Sequence, residues 1–237
     1  MFLLELIKGI ILGIVEGLTE FAPVSSTGHM ILVDDMWLKS TNFLGSQSAF
    51  TFKVVIQLGS VFAAAWVFRE RFLEILHIGQ HKPEPSTSGD RRSKPRRLNL
   101  IHVLVGMVPA GILGFLFDDL IEKYLPGFSR SGSTISTGVL MKLNHKAASD
   151  FTFIMSVPIM LAASGLSLLK HYEYIHLAHI PFYILGFLAA FIVGLIAIKT
   201  FLHLINKVKL VPFAIYRIVL VIFIAILYFG FGIGKGI

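Results

Sequence analysis

An all-α integral membrane fold is what this sequence predicts, and three observations predict it. Hydrophobic residues make up 55% of the 237-residue chain and charged residues only 15%. The mean hydropathy is +0.77. Several runs stay apolar on every face for about the length of a hydrocarbon crossing, which a soluble core helix rarely does. Residues 1–237 are expected to form a single polytopic membrane domain. There is no cysteine, so disulfides, thiolate catalysis and cysteine metal sites are excluded.

The first element is unlike the others. Gly9–Val15 is apolar, but Glu5, Lys8, Glu16 and Glu20 surround it. No basic n-region, long apolar core and small-residue cleavage site follow one another, so a removable signal peptide is not expected. A full span would place carboxylates in hydrocarbon. A helix that enters part way and turns back is the better reading, because irregular backbone at depth is tolerated inside protein or a water-filled cavity. Pro23, Gly28 and the intervening hydroxyls are expected to form the turn.

Five apolar runs follow. Ala49–Phe68 carries only Lys53, Leu98–Phe117 only His102 and Leu210–Ile233 only Arg217, while Phe151–Leu169 and Pro181–Ile198 carry no charge. Between the first two lies residues 69–97, the only long polar loop, with eight Lys/Arg against four Asp/Glu. The positive-inside rule makes it cytoplasmic. It has no fold signature or aromatic interleaving for nucleic acid, and none is expected as a partner. Lys199, Lys207, Lys209 and Arg217 form a second basic region, also expected on the cytoplasmic side. Arg217 is read either as structural or as a headgroup contact.

Counting then exposes a conflict. Only three plausible spans separate the two basic regions, and an odd number puts them on opposite sides. Either Pro126–Leu143 crosses despite Arg130 and its hydroxyls, or a span is missing near Leu125.

Two segments nearly repeat each other: Pro23-Val24-Ser25-Ser26-Thr27-Gly28-His29 and Pro126-Gly127-Phe128-Ser129-Arg130-Ser131-Gly132-Ser133-Thr134. Each joins a proline, a hydroxyl cluster and a glycine beside apolar sequence. Hydroxyls, an arginine and a histidine are the groups needed to hold and attack a phosphoryl group. At membrane depth such groups are expensive and read as function. Glu16 and Glu20 lie four residues apart, on one face of a helix. Two carboxylates suit a hard divalent cation, magnesium or calcium, bridging phosphate oxygens. A solvated polar face is the plainer alternative. A serine hydroxyl needs a base within reach, and His29 is the nearest candidate. Ser25 and Thr27 are candidate phosphate ligands, although turns and helix caps also favour such residues. Arg130 can grip two phosphate oxygens at once; the alternative is snorkelling at a membrane edge. Ser129, Ser131 and Thr134 are its expected partners around the phosphate. Gln57, polar within an apolar span, is expected to line the pocket.

Glu16-Gly17-Leu18-Thr19-Glu20 with Pro23–His29 resembles the first signature of the undecaprenyl-diphosphate phosphatase family, and Pro126–Thr134 resembles the second. The resemblance covers nearly the whole chain. It implies two inverted repeats, each with a re-entrant helix pair whose polar tips meet near the membrane middle. It implies removal of the terminal phosphate of undecaprenyl diphosphate at the bacterial cell membrane. That reaction recycles the lipid carrier for cell-wall synthesis and underlies bacitracin resistance. It makes Ser26 the candidate nucleophile, with attack by water positioned by Ser26 as the other route, and supports a metal requirement for Glu16 and Glu20. A homodimer is retained as an assembly option. The re-entrant element enters from the side opposite the basic loop, so the site is expected to open to the outer face.

The departure from the family falls between Leu125 and Pro126, where members are longer by about a helix and half a re-entrant pair. Residues 1–125 therefore read as the first repeat with its following span, and 126–237 as an incomplete second repeat. A polyprenyl-phosphate transporter, which inverted repeats with broken helices would also suit, and an inactive shortened form are the alternatives.

Overall fold

The computed structural model describes residues 2–75, 130–142, 145–208 and 210–231. Among these every regular element is helical: α1 (Phe2–Thr19), α2 (Ser26–Met30) running into a π-helical stretch (Ile31–Leu38), α3 (Thr41–Leu44), α4 (Ser46–Val67) and α5 (Arg69–Ile75). After the undescribed stretch come α6 (Arg130–Leu140), α7 (His145–Lys170), α8 (Ile180–Val208) and α9 (Val211–Phe231). Segments Ser46–Val67, Ala147–Lys170 and Leu177–Ile205 are long and apolar enough to cross a membrane, and Val211–Ile226 is a shorter apolar helix. The chain is thus an all-α integral membrane protein. The expected spans at 49–68, 151–169, 181–198 and 210–233 correspond to α4, α7, α8 and α9. The expected span Leu98–Phe117 lies outside the described residues, as does most of the loop 69–97.

Helix α8 is the spine. Hydrocarbon gives helices no hydrophobic reason to associate, so close backbone approach at small residues must supply the attraction. In α1, Gly9, Gly13 and Gly17 recur every four residues, and α8 answers with Gly186, Ala190 and Gly194. A Cβ added at Gly13 would collide with the Gly186 carbonyl oxygen, and one at Gly59 of α4 would lie 2.5 Å from the Phe187 carbonyl oxygen. Gly13 meets Gly186 while Gly17 meets Ala190 and Gly194, so α1 and α8 run parallel. Gly186 also faces Phe52, and Gly194 faces Ala63, so α4 is parallel to both. Helix α7 is antiparallel to α4: Phe153 meets Phe68, and Ser164 meets Gln57.

Helices α4 and α8 finish at the same end of the bundle, so Arg69 and Lys207 share that end. Of the expected crossing Pro126–Leu143, the described part is the 11-residue α6, about 16 Å long and by itself too short to cross; the rest lies outside the described residues.

The first element does turn back. Helix α1 ends at Thr19, the turn occupies residues 20–24, and α2 starts at Ser26. The returning chain reaches the beginning of α1, where Lys8 Nζ donates to the Leu38 carbonyl at 3.2 Å. There Asp34, fully buried, accepts from the Ser40 N–H at 2.8 Å and the Ser40 hydroxyl at 2.7 Å. Lys53 of α4 pairs with Asp34 at 2.8 Å and Asp35 at 2.9 Å. The single charge of the 49–68 run therefore fastens the hairpin to α4.

Candidate active site

The turn differs from expectation in one respect. Gly28 is not part of it but lies inside α2 and is buried. The left-handed position is taken by Ser25, with φ at 71°. The reason is the helix cap: from Ser25 the hydroxyl accepts the Gly28 N–H at 3.2 Å, which satisfies a free donor of the first turn. A Cβ at Gly28 would lie 3.3 Å from the Ser25 Oγ, tight against the cap.

The cap aims the next residues. Ser26 Oγ donates to Glu20 Oε2 at 2.5 Å. The carboxylate within reach of the serine is thus Glu20, not the histidine expected from spacing. His29 Nδ1 lies 2.7 Å from the Ser25 carbonyl oxygen. A carbonyl only accepts, so Nδ1 carries the proton and Nε2 holds the lone pair. That lone pair meets the Tyr216 hydroxyl at 2.6 Å. Thr27 is exposed and Ser26 half-buried.

Glu16 sits one turn before Glu20, whose N–H donates to the Glu16 carbonyl at 3.0 Å. Glu16 is buried and Glu20 half-buried, and both have partners. Among the described residues no group of three His, Cys, Asp or Glu side chains is placed to hold a metal ion.

Behind the turn, Phe21 is buried edge-on to Phe153 at 5.4 Å. The same apolar cluster takes in Phe201, Ile205 and Ile135 of α6. The helix that opens with Arg130 therefore packs on the core that backs the first motif. Thr134 is half-buried with a partner of its own. Ser129 and the side chains of Arg130 and Ser131 lie outside the described residues. Gln57 faces α7, with the Ser164 hydroxyl 3.5 Å from its Oε1, and no described contact joins it to the motif. In front of the turn is an open apolar groove of about 470 Å³, walled by Leu18, Ala22, Val24, Leu204, Val208 and Phe213, with Thr19, His29 and Tyr216 as polar members. Because α1 keeps step with α8, the groove lies toward the basic end.

Tyr216 is the site residue that sequence reasoning misses. Its signal was present, a Tyr216-Arg217 polar pair inside an apolar run, but its partner lies 187 residues away.

Comparison with known proteins decides the family. The model of the bacitracin resistance protein BacA family matches residues 9–125 and 124–223. The chain belongs to the BacA family. Proteins named undecaprenyl-diphosphatase from Staphylococcus epidermidis are 82% identical to it across the whole of both chains. One of the same name from Staphylococcus aureus strain MRSA252 is 72% identical, again over the whole of both. The two family matches meet at Leu125, the junction where the span count fails. The first alignment runs over 290 positions against 237 residues here, leaving about fifty positions of the relative without a counterpart.

Proposed function

We propose that this chain hydrolyses undecaprenyl diphosphate to undecaprenyl phosphate and inorganic phosphate, recycling the cell-wall lipid carrier, and that the Glu20–Ser26–His29 turn with Arg130 does the chemistry. The full-length relatives named for this activity support the substrate. The observation that carries the mechanism is the 2.5 Å bond from Ser26 to Glu20. Glu20 is placed to take the hydroxyl proton as Oγ attacks the terminal phosphorus. The bond from that phosphorus to the bridging oxygen breaks, and undecaprenyl phosphate leaves. Water then cleaves the phosphoserine, returning the proton to Oγ and releasing phosphate. In the other route Glu20 and Ser26 orient a water that attacks directly. Arg130, at the start of a helix built on the same core, offsets the charge that develops on the phosphoryl oxygens.

The donor set fits a divalent cation. Glu16 and Glu20, two carboxylates one helical turn apart, supply the hard oxygen donors that a divalent cation such as magnesium would need. When bound, such an ion neutralises diphosphate charge; Glu16 and Glu20 would hold it.

Phosphate release from undecaprenyl diphosphate by the purified chain in detergent tests the reading, with Ser26→Ala alongside. No release by the unsubstituted chain, at any concentration of magnesium or calcium, refutes it. Rapid-quench trapping of labelled phosphate on Ser26 separates the two routes.

The hairpin is rooted at the end opposite Arg69, which supports presentation of substrate at the outer face. The groove beside His29 lies nearer the basic end. A cysteine at Thr27 in this cysteine-free chain, probed in intact cells with an impermeant thiol reagent, decides between the faces: labelling supports the outer one and protection refutes it.

A further inference from the structure

We infer that Tyr216 is a positioning residue of this reaction, acting through His29. The inference rests on the phosphatase reading of the turn and goes beyond it by adding a group from the last described helix.

Three observations carry it. First, the histidine's two nitrogens are both assigned by geometry: Nδ1–H donates to the Ser25 carbonyl at 2.7 Å, and Nε2 accepts from the Tyr216 hydroxyl at 2.6 Å. Second, the imidazole and phenol planes differ by only 14°. The two rings therefore lie nearly parallel, with the hydroxyl 2.6 Å from Nε2. Third, the contact is built by a face of α9. Tyr216, Leu220 and Ile224 recur every four residues, and the latter two lie over Gly28 of α2. A Cβ at position 28 would lie 3.4 Å from Leu220 and 3.5 Å from Ile224, in van der Waals contact with that face.

The consequence is a histidine held at both ends. A neutral imidazole can place its proton on either nitrogen. The Ser25 carbonyl selects the Nδ1–H form, the Tyr216 hydroxyl then donates to Nε2, and together they fix the ring's rotation. With Ser26 already paired to Glu20, His29 is free of the serine. Its Nε2 faces the groove wall, where a phosphoryl oxygen can replace or join the hydroxyl. A hydrogen bond of this kind contributes chiefly to the geometry reached in the transition state, and its loss should appear in kcat.

The test is Tyr216→Phe, which removes the hydroxyl and keeps the ring. The expected result is a kcat lower by about tenfold with KM within about twofold. In a His29→Ala background the same substitution should cost nothing further, because the group it acts through is gone. Leu220→Ala, on the same face of α9, controls for packing; its effect should persist in the His29→Ala background. Full kcat in Tyr216→Phe overturns the inference. So does a Tyr216→Phe loss that multiplies undiminished onto His29→Ala, which would mark Tyr216 as packing alone. Nitrogen NMR of histidine-labelled protein, with the His29 signal identified by difference from His29→Ala, needs no turnover. It should show Nδ1 protonated in the unsubstituted chain and a shifted Nε2 signal in Tyr216→Phe. An unmoved Nε2 signal overturns the inference even if the phosphatase reading stands, and an inactive unsubstituted chain counts against that reading alone.

Discussion

The re-entrant hairpin carries a polar cluster at each end, and the two are built to opposite rules. At the base, Asp34 is fully buried and takes two bonds from Ser40 and one from Lys53, while Asp35 takes another from Lys53. Charge is neutralised on the spot. At the tip, Ser26, Glu20 and His29 are only half-buried, His29 lines the open groove, and the partners come from the turn itself and from α9. On the proposed function the closed cluster is the structural one and the open one does the chemistry. The difference teaches that burial with full pairing, not the mere presence of charge in an apolar element, is the property to test when the two are told apart.

The comparison breaks most sharply at the tip. Glu20→Gln, which keeps shape and removes the base, should lower turnover by about 10²–10⁴-fold while the detergent-solubilised protein melts within a few degrees of the parent. A large fall in melting temperature with activity per folded molecule intact would make the tip structural as well.

The base should respond the other way. Lys53→Met leaves the buried Asp34 carboxylate without its cation. Breaking a buried pair costs about 3–5 kcal/mol, and the lower end applies because the Lys53 side chain is 31% exposed. Thermal unfolding should show the loss, and kcat of the surviving folded fraction should stay within about threefold. Adding Asp34→Leu to Lys53→Met should recover part of the stability, since an apolar pair has no charge left to desolvate.

Glu16 probes the boundary, being acidic and buried yet beside the tip. If it belongs with the chemistry, Glu16→Gln should raise the magnesium concentration for half-maximal phosphate release by about tenfold, with little change in melting. The smallest effect is expected from Lys8→Met, which removes one bond to the Leu38 carbonyl. It should cost about 1 kcal/mol or less in unfolding and leave turnover alone. A drop in turnover there would show that the base reaches the site through the hairpin.

Much of this architecture is legible in the chain. The four described apolar runs become α4, α7, α8 and α9 because length and uniform apolarity are local properties. The carboxylates around Gly9–Val15 announce a hairpin because a charge at depth needs a reason. Arg69 and Lys207, the described flanks of the two basic regions, share an end of the bundle. What was not legible depends on long-range pairing. Spacing favours His29 as the partner of Ser26, but Ser25 takes the positive φ and turns the serine toward Glu20 instead. Lys53 looked like an isolated charge until the returning chain supplied Asp34 and Asp35. The glycine spacing in α1 was readable, yet its meaning appears only when Gly186, Ala190 and Gly194 are set against it.

The parallel course of α1, α4 and α8 has a consequence in electrostatics. Helices pointing the same way add their dipoles, so the carbonyl ends of α4 and α8 gather partial negative charge at one pole of the bundle. The antiparallel α7 offsets part of it. Part of the remainder is met by Lys207 in the last turn of α8, contributing about 0.3–1 kcal/mol. A cation of the second basic region thus also occupies the negative pole of its own helix, so one residue bears on both how the protein inserts and how firmly that helix end is held.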